Sequence, residues 1–122
     1  MLSLKEKKKT VFIFVRIMGN IYLKNIRLYS YHGCMDEEEK IGSDYVVNLK
    51  VKTDLSVSSK SDILADTVDY VSLHSIVKEE MDQRAKLLET VASRIIKRIL
   101  KEHPVVVKAS VKVAKKKSPH RR

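Results

Sequence analysis

The chain has 122 residues, enough for one domain with a real hydrophobic core, and a formal net charge of +10. Residues 1–19 carry five Lys/Arg against one Glu, residues 115–122 carry five and no acid, and residues 20–114 carry fifteen against fourteen acids; a near-neutral body between basic ends argues against a nucleic-acid-binding face. The single Cys34 excludes an internal disulfide framework and fits a reducing, cytoplasmic setting, while no apolar run reaches the length of a membrane span.

Residues 1–17 read as a basic N-terminal extension. Lysines in 5–9 followed by the apolar run 11–15 have a signal-peptide flavour, but Arg16 cuts the run and no small-residue cleavage site follows. Residues 21–31 are β-branched, aromatic and apolar, and their alternation slips one place between Leu23 and Ile26, which predicts a bulged strand. His32 and Gly33 end it. Residues 36–40 read as an exposed acidic loop closed by Gly42. The next strand alternates cleanly, with Val47, Leu49 and Val51 on one face and Val46, Asn48, Lys50 and Lys52 on the other.

Residues 56–61 read as a polar loop. A helix is predicted over 71–84, with Val71, Ile76, Val77 and Met81 inward. The following helix has the most regular pattern in the chain: Leu88, Val91, Ala92, Ile95, Ile96, Ile99 and Leu100 recur at three- and four-residue steps, and Pro104 stops it. A third strand places Val107, Ala109, Val111 and Val113 inward against Lys108, Ser110 and Lys112. The order β-β-α-α-β, with strands apolar on one face only, predicts an α+β fold: an antiparallel sheet with two helices packed on one face.

Glu89 stands out in the first turn of the last helix, beside its buried stripe. Acids there complement the helix dipole; the alternative is a recognition carboxylate for a ligand with adjacent N–H donors. His32, His74, His103 and His120 show no metal-ligand spacing, and there is no glycine-rich phosphate loop or nucleophile elbow. Taken singly, Glu38 reads as part of a solvated loop, Tyr70 as a packing residue at a helix start, and Lys115 as edge charge.

Taken together they resemble a family. Tyr29-Ser30-Tyr31-His32-Gly33 with Glu38 and Ile41-Gly42, then residues 61–70 with Asp66-Thr67-Val68-Asp69-Tyr70, then Leu87-Leu88-Glu89-Thr90-Val91-Ala92, then a Val-Lys-Val-Ala-Lys strand ending at Lys115, are similar in kind and order to the bacterial dihydroneopterin aldolases. The resemblance implies the tunnelling fold, whose subunits join sheets edge to edge into barrels, and retro-aldol cleavage of 7,8-dihydroneopterin in folate synthesis. It implies Glu89 gripping the 2-amino and ring N–H of the pterin, with the Leu88 backbone beside it. Tyr70 of a neighbouring subunit would lie over the ligand and assist proton transfer, Lys115 would be the acid/base, and Glu38 would orient side-chain hydroxyls or a water. No metal and no cofactor are implied. The expected partner is a small pterin substrate, with no nucleic acid and no membrane, in a homo-oligomer (a tetramer or octamer in the family).

Epimerisation of dihydroneopterin or its triphosphate shares the same bond cleavage and stays open. In the family the chain continues past the lysine into a fourth strand. Here residues 116–122 read as a truncated basic tail, so 18–115 is the expected domain, with the final strand missing. A pterin-binding relative without activity is the reading this departure keeps alive.

Overall fold

The computed structural model describes residues 17–116. The bulk of the expected N-terminal extension and of the C-terminal tail lies outside them. Strands β1 (Met18–Ser30), β2 (Ser43–Asp54) and β3 (Val106–Lys115) form one antiparallel sheet in the order β1-β2-β3. Between them lie helices α1 (Asp36–Lys40), α2 (Ser56–Ser61), α3 (Tyr70–Met81) and α4 (Leu88–Glu102), with a 3-10 turn at Leu64–Asp66. Tyr45, Val47, Leu49 and Val51 of β2 are buried against Leu73, Ile76, Val77 and Met81 of α3 and Val91, Ile95 and Ile99 of α4. This is the expected α+β layer pair, helices on one face only. No helix among the described residues is long and apolar enough to cross a membrane.

The slip in β1 is real. The register shifts between Leu23 and Ile26, and Asn25 adopts φ 58°, a left-handed conformation that asparagine tolerates. Its N–H, turned out of the ladder, donates to Asn48 Oδ1 at 2.9 Å. The bulge lets Leu23 and Ile26 both face the core despite their odd spacing.

Five local expectations need correction. The acidic stretch 36–40 is a short helix, because four acids in its first turn complement the helix N-terminus. Residues 56–61 are helical too, ended by Asp62 at φ 57°. The helix expected over 71–84 stops at Met81, and Leu73 rather than Val71 faces inward; Val71 is 66% exposed. In β3 a second shift, between Lys52 and Thr53, brings Val106 opposite Thr53 and turns Val107 outward. The buried stripe of α4 is narrower than its pattern, since Leu100 is 43% exposed.

Glu80 of α3 is nearly buried and is held by Arg94 Nε and Arg98 Nη1 of α4, each at 3.2 Å, which ties the two helices side by side. Loss of one partner from such a pair leaves a desolvated charge. The core itself sets the larger energies. Ile99→Ala should lower stability by about 2–5 kcal/mol in urea unfolding, whereas Leu100→Ala should cost less than about 1 kcal/mol; equal losses would contradict the narrow stripe.

Candidate active site

Only three residues separate α4 from β3, and the two elements pack together, so the strand runs back along the helix. The C-terminal end of β3, at Lys115, therefore lies at the same end of the molecule as the first turn of α4, which carries Leu88 and Glu89. In the register Lys115 stands opposite Tyr45, whose ring is buried, so the lysine leaves the sheet on the helix-covered side. There Lys115 Nζ donates to Glu38 Oε2 at 2.7 Å, and Glu38 Oε1 accepts the Met35 N–H at 3.1 Å. The Lys115 hydrogen bond, seconded by Met35, holds the Glu38 carboxyl below the usual carboxylate range. The pair borders a cavity of about 280 Å³ lined also by Met35, Ile41 and Gly42.

Gly33 makes this placement possible. It sits at φ +137°, and a Cβ there would collide with the Glu38 carboxylate.

One buried side chain joins this corner to α4. His32 is 1% exposed. The Ala85 N–H donates to its Nδ1 at 3.0 Å, so that nitrogen carries no proton; Nε2–H then donates to Ser30 Oγ at 3.1 Å, and Ser30 donates to the Met81 carbonyl. The backbone of the same segment is stitched alongside: Gly33 N–H to Ala85 O at 2.9 Å, Arg84 Nη2 to Gly33 O at 2.6 Å, and Cys34 Sγ to Lys86 O at 3.4 Å. Tyr45 OH donates to the His32 carbonyl at 2.9 Å. Residues 32–34 thus hold 84–86, the lead into Leu88 and Glu89, against the strand that faces Lys115.

Of the residues singled out in the sequence, Glu38 and Lys115 are in contact, and Leu88 and Glu89 share their end of the fold. Leu88 packs against the core, while Glu89 is exposed and, among the described residues, makes no hydrogen bond or ion pair. Tyr70 is not brought to them: it is 61% exposed and lines a separate groove with the bulged part of β1. In the sequence Arg84 carries no assigned role and His32 stands only as a strand end and a motif residue, whereas the structure makes both of them anchors of this corner. The signal for His32 was available, since it sits two residues beyond Ser30, the last inward position of β1.

The family model for FolB: Dihydroneopterin aldolase matches residues 21–122. The chain belongs to the dihydroneopterin aldolase family. The dihydroneopterin aldolase of Bacillus subtilis is 34% identical over 103 residues, 84% of this chain and 86% of the relative. Among solved structures, that of the E. coli dihydroneopterin aldolase in complex with neopterin superposes with a TM-score of 0.71 at 21% identity, covering 85% of this chain and 90% of its own. A dihydroneopterin aldolase from Burkholderia thailendensis bound to guanine gives a TM-score of 0.66 at 23% identity, covering 80% and 77%. These two likenesses establish that the tunnelling fold expected from the sequence is the fold present.

Burial, above all, lowers the His32 pKa from its ordinary 6.5. The unfolded chain therefore binds more protons than the folded one once pH falls below 6.5, and His32 removes stability there at up to about 1.4 kcal/mol per pH unit. Thermal melting between pH 7 and 5 should show this decline. His32→Asn, which keeps an acceptor for the Ala85 N–H, should flatten that part of the profile; an unchanged slope would show that another group is responsible.

Proposed function

We propose that the chain is a dihydroneopterin aldolase that splits 7,8-dihydroneopterin into 6-hydroxymethyl-7,8-dihydropterin and glycolaldehyde, in the cytoplasmic synthesis of tetrahydrofolate. The observation that carries the residue roles is the Lys115–Glu38 pair at 2.7 Å, set at the end of the sheet where α4 presents an unpartnered Glu89. Family membership supports the reaction. The neopterin and guanine of the two solved relatives support the mode of recognition, because both molecules offer a ring N–H beside an exocyclic amine. A carboxylate accepts that donor pair with two parallel charge-assisted hydrogen bonds. Glu89 is the carboxylate free to do so, held on a rigid helix, and the unpaired N–H groups of the first turn favour its negative charge. The Leu88 backbone borders the same pterin edge.

The chemistry asks little beyond proton traffic. A base removes the proton from the side-chain 2′-hydroxyl, the C1′–C2′ bond breaks, and glycolaldehyde leaves. The electron pair flows into the adjacent ring C=N, whose nitrogen takes up a proton; the resulting enamine is then protonated at C1′ as the ring nitrogen gives its proton back, which restores the C=N bond. Lys115 supplies and receives these protons, and Glu38 orients the side-chain hydroxyls or a water beside it. Tyr70, exposed in its own subunit, serves the site of a neighbouring copy, where its phenol covers the ligand and assists proton transfer. Both edge strands, β1 and β3, have unpaired sides among the described residues, which fits assembly of copies edge to edge.

Fluorescence titration with neopterin, followed by chromatography of the products, tests these roles. Glu89→Ala should weaken binding by about 30- to 150-fold, the loss of a charged bidentate contact being about 2–3 kcal/mol. Lys115→Ala should bind neopterin within a few-fold of wild type and release no glycolaldehyde. Wild-type turnover by Lys115→Ala would remove the lysine from the mechanism, and release of a side-chain epimer without glycolaldehyde would make the chain an epimerase.

A further inference from the structure

We propose that the helix-free face of the sheet binds a small oligophosphate anion. The pairing register gives the outward rows of this face as Asn20–Lys52–Lys108 and Tyr22–Lys50–Ser110, followed by Asn48–Lys112 beside the bulge residue Lys24. Five exposed lysines occupy these rows, and no acidic residue does. The near-balance of residues 20–114 therefore hides a separation by face. The acids in the strands, Asp44 and Asp54, stand at the two ends of β2, and the rows between them show ammonium groups. No ion pair neutralises any of the five among the described residues.

This arrangement works against the fold. Lys52 and Lys108 stand directly opposite each other, and like charges in that position destabilise an antiparallel pair. Nothing in the packing requires either of them, since both side chains are exposed. Lys24 and Lys50 both lie over the Tyr22 ring, at 5.5 and 5.7 Å from its centroid, which holds two more charges together at one point. A shallow cavity of about 300 Å³ lies among Asn20, Lys50, Lys52, Lys108 and Ser110, and a second of about 270 Å³ shares Lys50 and Ser110 and adds Lys112.

The lining is chemically uniform: three ammonium groups, an amide and a hydroxyl, all able to donate to oxygen. Lysine is a point-charge binder of phosphate, and converging cations concentrate a multivalent anion far more than a single charge does. A small ligand fits better than a nucleic acid. Tyr22, the one aromatic residue in these rows, is already covered by two ammonium groups and offers no stacking platform.

Isothermal titration calorimetry of the full chain with sodium tripolyphosphate, at fixed ionic strength, tests this. Saturable one-to-one binding is expected, weakened by roughly tenfold or more in Lys52→Ser/Lys108→Ser, which removes two charge-assisted contacts. The double variant should melt no lower than wild type, because it also removes a like-charge pair, and should keep its lyase activity. Wild-type affinity in the double variant would locate binding on the basic chain ends and overturn the proposal, as would the lack of saturable binding by wild type. It would also fall if a single-stranded oligonucleotide bound through the same two lysines more tightly than tripolyphosphate. None of these outcomes bears on the aldolase reading, whose Glu38, Lys115 and Glu89 lie away from the rows that carry Lys52 and Lys108.

Discussion

A buried, neutral imidazole organises the end of the fold where Glu38 and Lys115 meet. His32 uses both ring nitrogens and its carbonyl in hydrogen bonds to three separate parts of the chain: Ala85 before α4, Ser30 and through it Met81 at the end of α3, and Tyr45 in the central strand. Each of these groups is out of reach of water, so an unmade bond would cost about 1–3 kcal/mol. The arrangement is satisfied in one tautomer only, which gives the corner one geometry rather than several.

What that geometry secures is the relation between two carboxylates and a lysine carried by different elements. Glu38 is placed by a five-residue helix too short to be stable alone, and its position depends on Gly33 leaving room, on the Met35 N–H and on Lys115. Glu89 is placed by a long helix whose buried stripe fixes its axis on the sheet. The segment 32–34, laid along 84–86, connects the two. The two carboxylates and the lysine are thus attached to one rigid frame, while Tyr70 lines another groove.

Much of this was legible in the residues. The bulge in β1 could be read because only a slip between Leu23 and Ile26 keeps both inward, and α4 could be read because its apolar spacing is so regular. Val71, Val107 and Leu100 were misplaced for a common reason. Each is apolar and near an element's end or a register shift, where tertiary pairing rather than periodicity decides which way a side chain faces. The candidate site could be named in the sequence as a set of residue types but not as a geometry: the 2.7 Å contact between Glu38 and Lys115 joins residues 77 positions apart, which no local pattern encodes. The lysine face went unseen because charge was summed along the chain, whereas the strand alternation at Lys50, Lys52, Lys108 and Lys112 segregates it across the sheet.

The most direct test of the central claim is a crystal structure of the chain with neopterin bound. The frame held by His32 predicts the Glu89 carboxylate paired with the ring N–H and 2-amino group of one ligand, whose side-chain hydroxyls reach Glu38 and Lys115. A ligand seated elsewhere, or a Glu89 side chain directed into solvent while the pterin is bound, would contradict it.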